Sequence, residues 1–366
     1  METTTLLKRL TEARGPSGYE SEVREIVREY FEPYADETHT DALGNVIALK
    51  RGKGPEPRPT VMLAGHMDEI ALIVKKIDKG FLHISQIGGF DPRVLLSQEV
   101  VVHGRQELPG VIVSVPPHFT DPADRNKTVP LDKLFVDVGL PPEKVDQLVR
   151  VGDLVTINRR YTELTGGRAT CKAMDDRTAV AAIAICLEEL TRLKHEWDVY
   201  AVATVQEEVG LFGAMTSAYG LSPTIAVAID VTFGHQPGLS EAETIKMDKG
   251  PGIAFGPNIH PRVFEGLRDA AKAIELPYQL EPEPGPTGTD ARAIQISREG
   301  IPTGLLGIPL RYMHTSVETV VIKDVERTGR LLASFIARLD DEFLDALTWK
   351  MPPKKENDEE EAQDVA

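Results

Sequence analysis

Four short apolar runs, each ending near a residue that can bind a metal or move a proton, constrain this chain more than any other feature. Thr60–Ala64 (TVMLA) leads into Gly65-His66-Met67-Asp68. Val199–Val205 (VYAVATV) leads to Glu207 and Glu208, Thr224–Ile229 (TIAVAI) to Asp230, and Pro302–Ile308 (PTGLLGI) towards His314. Continuous runs of this length suit strands buried on both faces. Helical patterns lie between and around them: Ala179–Leu193 is the strongest, followed by Val263–Ala273 and a closing helix over Asp324–Leu347 with Asp324 as a candidate cap. Such alternation implies an α/β domain with a mostly parallel sheet and helices on both faces. Sites in such sheets form beyond the carboxyl ends of the strands, which is where these residues fall.

The texture changes between residues 72 and 163. Short β-branched runs such as GVIVSV and DLVTI are split by Gly, Pro and Asp, the pattern of a compact all-β unit inserted in the α/β domain. The α/β domain then comprises residues 1–71 and 164–350. Near the start, Ser17-Gly18-Tyr19-Glu20 fits a capping box ahead of the helical spacing of Val23, Ile26, Val27 and Tyr30. Residues 351–366 read as an acidic, disordered tail. Its last thirteen residues, KKENDEEEAQDVA, set six acids against two lysines with no apolar period.

Charge and cysteine content narrow the partners. A formal charge of −16 makes nucleic acid and anionic membranes poor partners. No apolar run reaches membrane-spanning length, and the first residues lack a signal-peptide pattern. Two cysteines, Cys171 and Cys186, read as buried thiols of a reducing compartment, so the cytoplasm is expected.

Taken singly, each candidate has a bland alternative: a strand-end His can be structural, a Glu pair can be a solvated helix start, and an Asp can be a cap. Their recurrence at one kind of position favours chemistry. Imidazole with carboxylates suits zinc and similar divalent ions. In His66-x-Asp68 the carboxylate can hold the free imidazole nitrogen and set the tautomer. A bridging carboxylate can hold two metals about 3.5–4 Å apart, and three carboxylates plus a hydroxide would nearly neutralise two divalent cations.

Six strings carry a family resemblance: HMD at 66–68, AMDDR at 173–177, QEEVG at 206–210, AIDV at 228–231, GTDA at 288–291 and PLRYMHTSVE at 309–318. In that order they resemble the tetrahedral-type metallo-aminopeptidases, which include glutamyl and deblocking aminopeptidases of the co-catalytic two-zinc clan. The resemblance implies removal of N-terminal residues from peptides by metal-activated water. It puts His66 and Asp230 on one metal, Glu208 and His314 on the other, and Asp175 between them, with Asp176 as the alternative. It makes Glu207 the general base and Asp68 the residue that orients His66. It also implies a cis Asp175–Asp176 bond, two zinc ions (or cobalt or manganese), and a PDZ-like insertion that assembles dimers into a dodecamer. Asp290, Arg311 and Tyr312 are candidates for contact with the peptide substrate, and His235 is a loop histidine or a further ligand. Rival readings are a carboxypeptidase or deacylase on the same framework, a polysaccharide hydrolase, and a non-catalytic assembly protein.

Overall fold

In the computed structural model, residues 1–348 are described; the acidic tail lies outside them. The apolar runs become neighbouring strands of an eleven-stranded sheet. Thr60–His66 lies between Asp198–Thr204 and Ile225–Phe233, and Thr303–Arg311 follows beyond Ile225–Phe233, all parallel. Antiparallel strands flank this block: Val46–Lys50 and Glu37–Thr40 on one side, Glu318–Val321, Arg168–Cys171 and Thr162–Leu164 on the other. A side branch, Gly252–Phe255 with Gln279–Pro282, pairs onto Thr303–Arg311.

Burial explains why these strands lack alternation. Six of the seven residues of Thr60–His66 are buried, as are eight of the nine of Thr303–Arg311. One face packs on Met174–Glu189, which is buried on nearly every side and therefore reads AVAAIAICL rather than as an amphipathic stripe. Gly65 permits the close approach, because a Cβ there would stand 2.7 Å from the Ala179 Cβ. The other face carries a second core around Met62, Ala228, Ile294 and Leu305.

The insertion closes on itself. Ala71–Asp78, Phe81–Ile87, Phe135–Asp137, Glu107–Val113, Glu99–His103 and Leu154–Ile157 follow one another around a six-stranded barrel with its own core of Leu72, Leu82, Val100, Ile112, Val136 and Val155. Glu107–Val113 (ELPGVIV) alternates exposed and buried residues, as a strand with one face inward must.

Three local expectations change. Ser17 caps no helix. The helix Ser21–Phe31 begins later with Glu20 at its N-cap position and no side-chain cap, while Ser17 Oγ donates to Asp68 Oδ2 at 2.5 Å. The closing helix is two, Ile322–Ile336 and Asp341–Ala346. Asp324 lies inside the first, where it accepts from the Asp248 and Gly250 amides, so it ties a loop to the helix instead of starting it.

Candidate metal centre

His66 is the last residue of its strand and sits in register with Thr204. Its side chain is 2% exposed, with Nε2 3.2 Å from Asp175 Oδ1 and Nδ1 3.4 Å from Asp68 Oδ1. Asp68 is fully buried and does more than face the imidazole. It accepts from the Glu207 amide at 3.0 Å, the Glu208 amide at 3.2 Å and the Ser17 hydroxyl. One carboxylate therefore locks the His66 strand end to the Glu207–Glu208 loop.

Asp175 lies in the irregular first turn of Met174–Glu189, and the Asp175–Asp176 peptide bond is cis. Its amide donates to Glu318 Oε2 at 3.1 Å, and its Oδ2 lies 3.3 Å from His314 Nε2. The Glu208 Oε1 is 3.4 Å from the same His314 nitrogen. Asp230, in register with Gly307, is buried and accepts from the Val231 amide at 2.7 Å. Two groups of three thus share Asp175: His66, Asp175 and Asp230, then Asp175, Glu208 and His314. The donor atoms within each group lie within 4.8 Å of one another. Glu207 is in neither group, with Oε2 3.8 Å from His66 Nε2. Asp176 is in neither, and both its oxygens are buried without a partner.

The electrostatics call for a cation. Burial, opposed by His66 and reinforced by Asp230 and Asp290, pushes the Glu207 carboxyl up to about 10. Burial likewise raises Glu208, where Asp175 adds to it, and drives Asp230 well above its ordinary range. Burial also raises Asp175, but hydrogen bonds from His314 and His66 outweigh it and leave its carboxyl below the usual range. Hydrogen bonds to Asp175 and Glu208 raise His314 to about 11. Burial opposes the charged form of His66, yet Glu207, Asp175 and Asp68 outweigh it and raise the imidazole well above its usual value. Four buried carboxylates around two imidazoles form a set whose mutual repulsion a divalent cation would relieve, and the donor types suit zinc-class ions.

Residues 44–331 match the family described as M42 glutamyl aminopeptidase. The chain belongs to that family. Like its M42 relatives it is a metallo-aminopeptidase, a hydrolase of metal-dependent type. The lysyl aminopeptidase of Pyrococcus furiosus is 38% identical over 340 residues, covering 91% of this chain and 96% of the relative. The TET aminopeptidase from the marine sediment archaeon Thaumarchaeota archaeon SCGC AB-539-E09 superposes with a TM-score of 0.89 at 37% identity, covering 94% of this chain and 99% of that one. PhTET1-12s, a dodecamer in the asymmetric unit, superposes with a TM-score of 0.80 at 30% identity, covering 93% and 100%.

The M42 chain holds its site loops in unusual backbone. Ala173, Gln206, Leu211, Tyr312 and His314 all have φ between +56° and +64°, a region that costs a non-glycine residue energy and clusters where function requires it. A cavity of about 960 Å³ opens over the cluster and is walled by His66, Asp175, Glu207, Glu208, Asp230 and His314 among others.

None of the remaining candidates, Asp290, Arg311, Tyr312 and His235, is among the residues that wall the main cavity. Asp290 is buried, accepts from Thr204 Oγ1 at 2.6 Å and keeps Oδ1 unpartnered; burial raises it to about 6. The cap of its helix is Thr289. Arg311 Nε donates to the His235 carbonyl, and both residues line a separate, smaller cavity. The Tyr312 amide donates to Gln236 Oε1, whereas the next residue, Met313, walls the main cavity. Two contributors have no role in the sequence reading. Buried Glu318 accepts from both the Asp175 and His314 amides, and its only sequence signal is its place four residues after His314. Gly88 and Gly89 bring the barrel against Glu208 and His314, which no local pattern announces.

Proposed function

We propose that this aminopeptidase works with two divalent cations, zinc first and cobalt or manganese as alternatives, shared through Asp175. The observation that carries the reading is the pair of three-residue groups joined at Asp175, with Glu207 beside them and in neither. His66 and Asp230 would hold one cation, Glu208 and His314 the other. Bound there, the cations would polarise the scissile carbonyl and lower the pKa of water towards about 7. Glu207 takes the proton of the attacking water at a carboxylate oxygen and delivers it to the leaving amine. Asp68 keeps His66 in one orientation and, through the Glu207 and Glu208 amides, fixes where the base stands.

Residues 1–71 and 164–350 are the catalytic domain in this reading and 72–163 a PDZ-like assembly unit, corrected at the junctions because the barrel strand begins at Ala71 and Thr162–Leu164 pairs in the large sheet. The barrel's separate core supports that division, and the dodecameric PhTET1-12s supports a dodecamer here. Cytoplasmic work fits the free, buried Cys171 and Cys186, and no helix among the described residues is long and apolar enough to cross a membrane.

The test compares peptides with a free N-terminus against N-acetylated and C-amidated forms, alongside elemental analysis. The expected result is stepwise release from free N-termini only, with two ions per chain. Equal cleavage of the acetylated peptide, or release of C-terminal residues, would overturn it.

A further inference from the structure

Beside the main cavity lies a second one of about 280 Å³, and its charge has the opposite sign. Arg168, Lys246 and Arg311 line it, with Glu241 as its one lining acid among the described residues. The main cavity is the reverse: Arg292 is its one lining lysine or arginine, set against the carboxylates of the metal cluster and several more. Glu241 and Thr244 line both cavities, so the two adjoin. No described carboxylate pairs with any of the three cations, although the chain carries 57 acids against 41 lysines and arginines. The acids nearest Lys246 in sequence are engaged elsewhere: Asp248 pairs with Arg327, and Glu243 accepts from the Ser240 hydroxyl.

Three separate elements put these cations in place. Arg311 ends the strand Thr303–Arg311 and pairs with Thr319, which pairs with Thr170. Side chains directly opposite one another share a sheet face, and Arg168, two residues before Thr170, shares it too. Arg311 Nε donates to the His235 carbonyl at 2.7 Å, which leaves the two amino groups of the guanidinium for another acceptor. Lys246 is held by its backbone: its amide donates to Gln279 Oε1 at 2.7 Å, and its carbonyl accepts from Gln279 Nε2 at 2.9 Å. Arg168 and Arg311 are half-buried, so salt screens them less than it does a fully exposed charge. Arg311 stands three residues before His314, which puts their Cα atoms at most about 11 Å apart. An extended peptide advances about 3.3 Å per residue, so the basic cavity lies level with a residue roughly three places beyond a bond cleaved at the cluster.

We infer that, with the proposed reacting centre in the adjoining cluster, this basic cavity receives a carboxylate of the peptide substrate downstream of the scissile bond. That carboxylate is the C-terminus of a short peptide, or an acidic side chain at the same place in a longer one. The opposed signs of the two cavities carry the assignment. A peptide is cationic at its N-terminus and anionic at its C-terminus, and the acidic and basic cavities meet these ends in turn, which orients the chain before reaction. Two guanidinium groups also match the planar shape of a carboxylate better than a lone ammonium does.

The test uses the purified, metal-loaded full chain and peptides of leucine followed by one to six glycines, each as the free acid and as the C-terminal amide. Release of leucine is measured. The KM of the free acid should fall about tenfold below that of the amide, the scale of one charge-assisted hydrogen bond, at a length near three glycines, with kcat little changed. Aspartate in place of the third glycine should restore the advantage to the amide. An advantage from either carboxylate supports the assignment and tells the two sources apart; an advantage from neither, at every length, would overturn it. Lys246→Met and Arg168→Met should each bring the acid-to-amide ratio several-fold towards one, and Lys246→Arg should keep it. A ratio that neither methionine variant moves would overturn the assignment, as would a change in preference for the anilide of glutamate, which has no downstream carboxylate. Should the variants fold poorly, the wild type decides alone: raising salt from about 0.05 to 0.5 M should shrink the ratio by screening, and a ratio that stays constant would overturn the assignment. Turnover without preference for a carboxylate removes this cavity's role only, whereas no turnover of any peptide removes the reading of the centre and this role with it.

Discussion

His66 and His314 stand on either side of Asp175, yet their side chains are 2% and 36% exposed. His66 ends a central strand, and its partner Asp230 lies on the neighbouring one, so that half of the cluster inherits its positions from the sheet. His314 and Glu208 come from loops. His314 has φ +59°, and its backbone amide donates a hydrogen bond to Glu318 Oε1. The barrel also touches this outer half: a Cβ on Gly88 would stand 3.4 Å from the Glu208 Cβ, and one on Gly89 3.3 Å from His314 Nδ1. The same donor chemistry is thus mounted on a rigid frame on one side and on adjustable loops on the other. The difference teaches that precision at the inner half is set by the fold, while the outer half can respond to the barrel.

The largest expected contrast is in stability without metal. His66→Ala removes the imidazole from buried Asp68 and Asp175 and should cost about 3–5 kcal/mol, as loss of one partner from a buried charge pair does. His314→Ala touches a half-exposed group and should cost about 0–1 kcal/mol. Urea unfolding in the presence of a chelator measures both, and equal costs would break the distinction.

Next is Asp68→Asn. It retains the size of the side chain but weakens the hold on His66 and on the Glu207 and Glu208 amides. Metal affinity at the inner site should fall about 10–100-fold, with the outer site less affected. Competition with a zinc-binding dye, followed site by site, reads this; a uniform loss at both sites would contradict the division.

Gly89→Ala should give the smallest effect. The added methyl makes the His314 ring yield by a few tenths of an ångström, which should weaken the outer site by roughly a few-fold, since a ligand imidazole is oriented by what surrounds it. The inner site should not change. An effect on the inner site instead would mean that the barrel acts through the sheet.

Much of this arrangement was legible because the chemistry sits where strands end. His66, Glu208 and Asp230 each follow a continuous apolar run, and His314 lies just beyond another, so burial pattern alone points to them. Residues that act through tertiary contact were not legible. Ser17 obeys a local capping pattern yet spends its hydroxyl on Asp68, and Asp324 does the same with the Asp248 and Gly250 amides. A distant partner outcompetes a local one in both cases. Gln279–Pro282 lies in QLEPEPGP, whose prolines and acids argue against a strand. Pairing with Gly252–Phe255 makes it one. Barrel closure depends on Leu154–Ile157 joining both Ala71–Asp78 and Glu99–His103, a pairing across the whole insertion that no short-range signal encodes.

The central claim, that Glu207 moves the proton while Glu208 holds a metal, is tested most directly by comparing Glu207→Gln with Glu208→Gln in one preparation series. Turnover of a lysine or leucine anilide and metal content by elemental analysis are the two readouts. Glu207→Gln should lose roughly 10²–10⁴ in kcat, the contribution of a general base, and retain both ions. Glu208→Gln should lose one ion. Near-normal turnover in Glu207→Gln, or loss of an ion there but not in Glu208→Gln, would contradict the assignment.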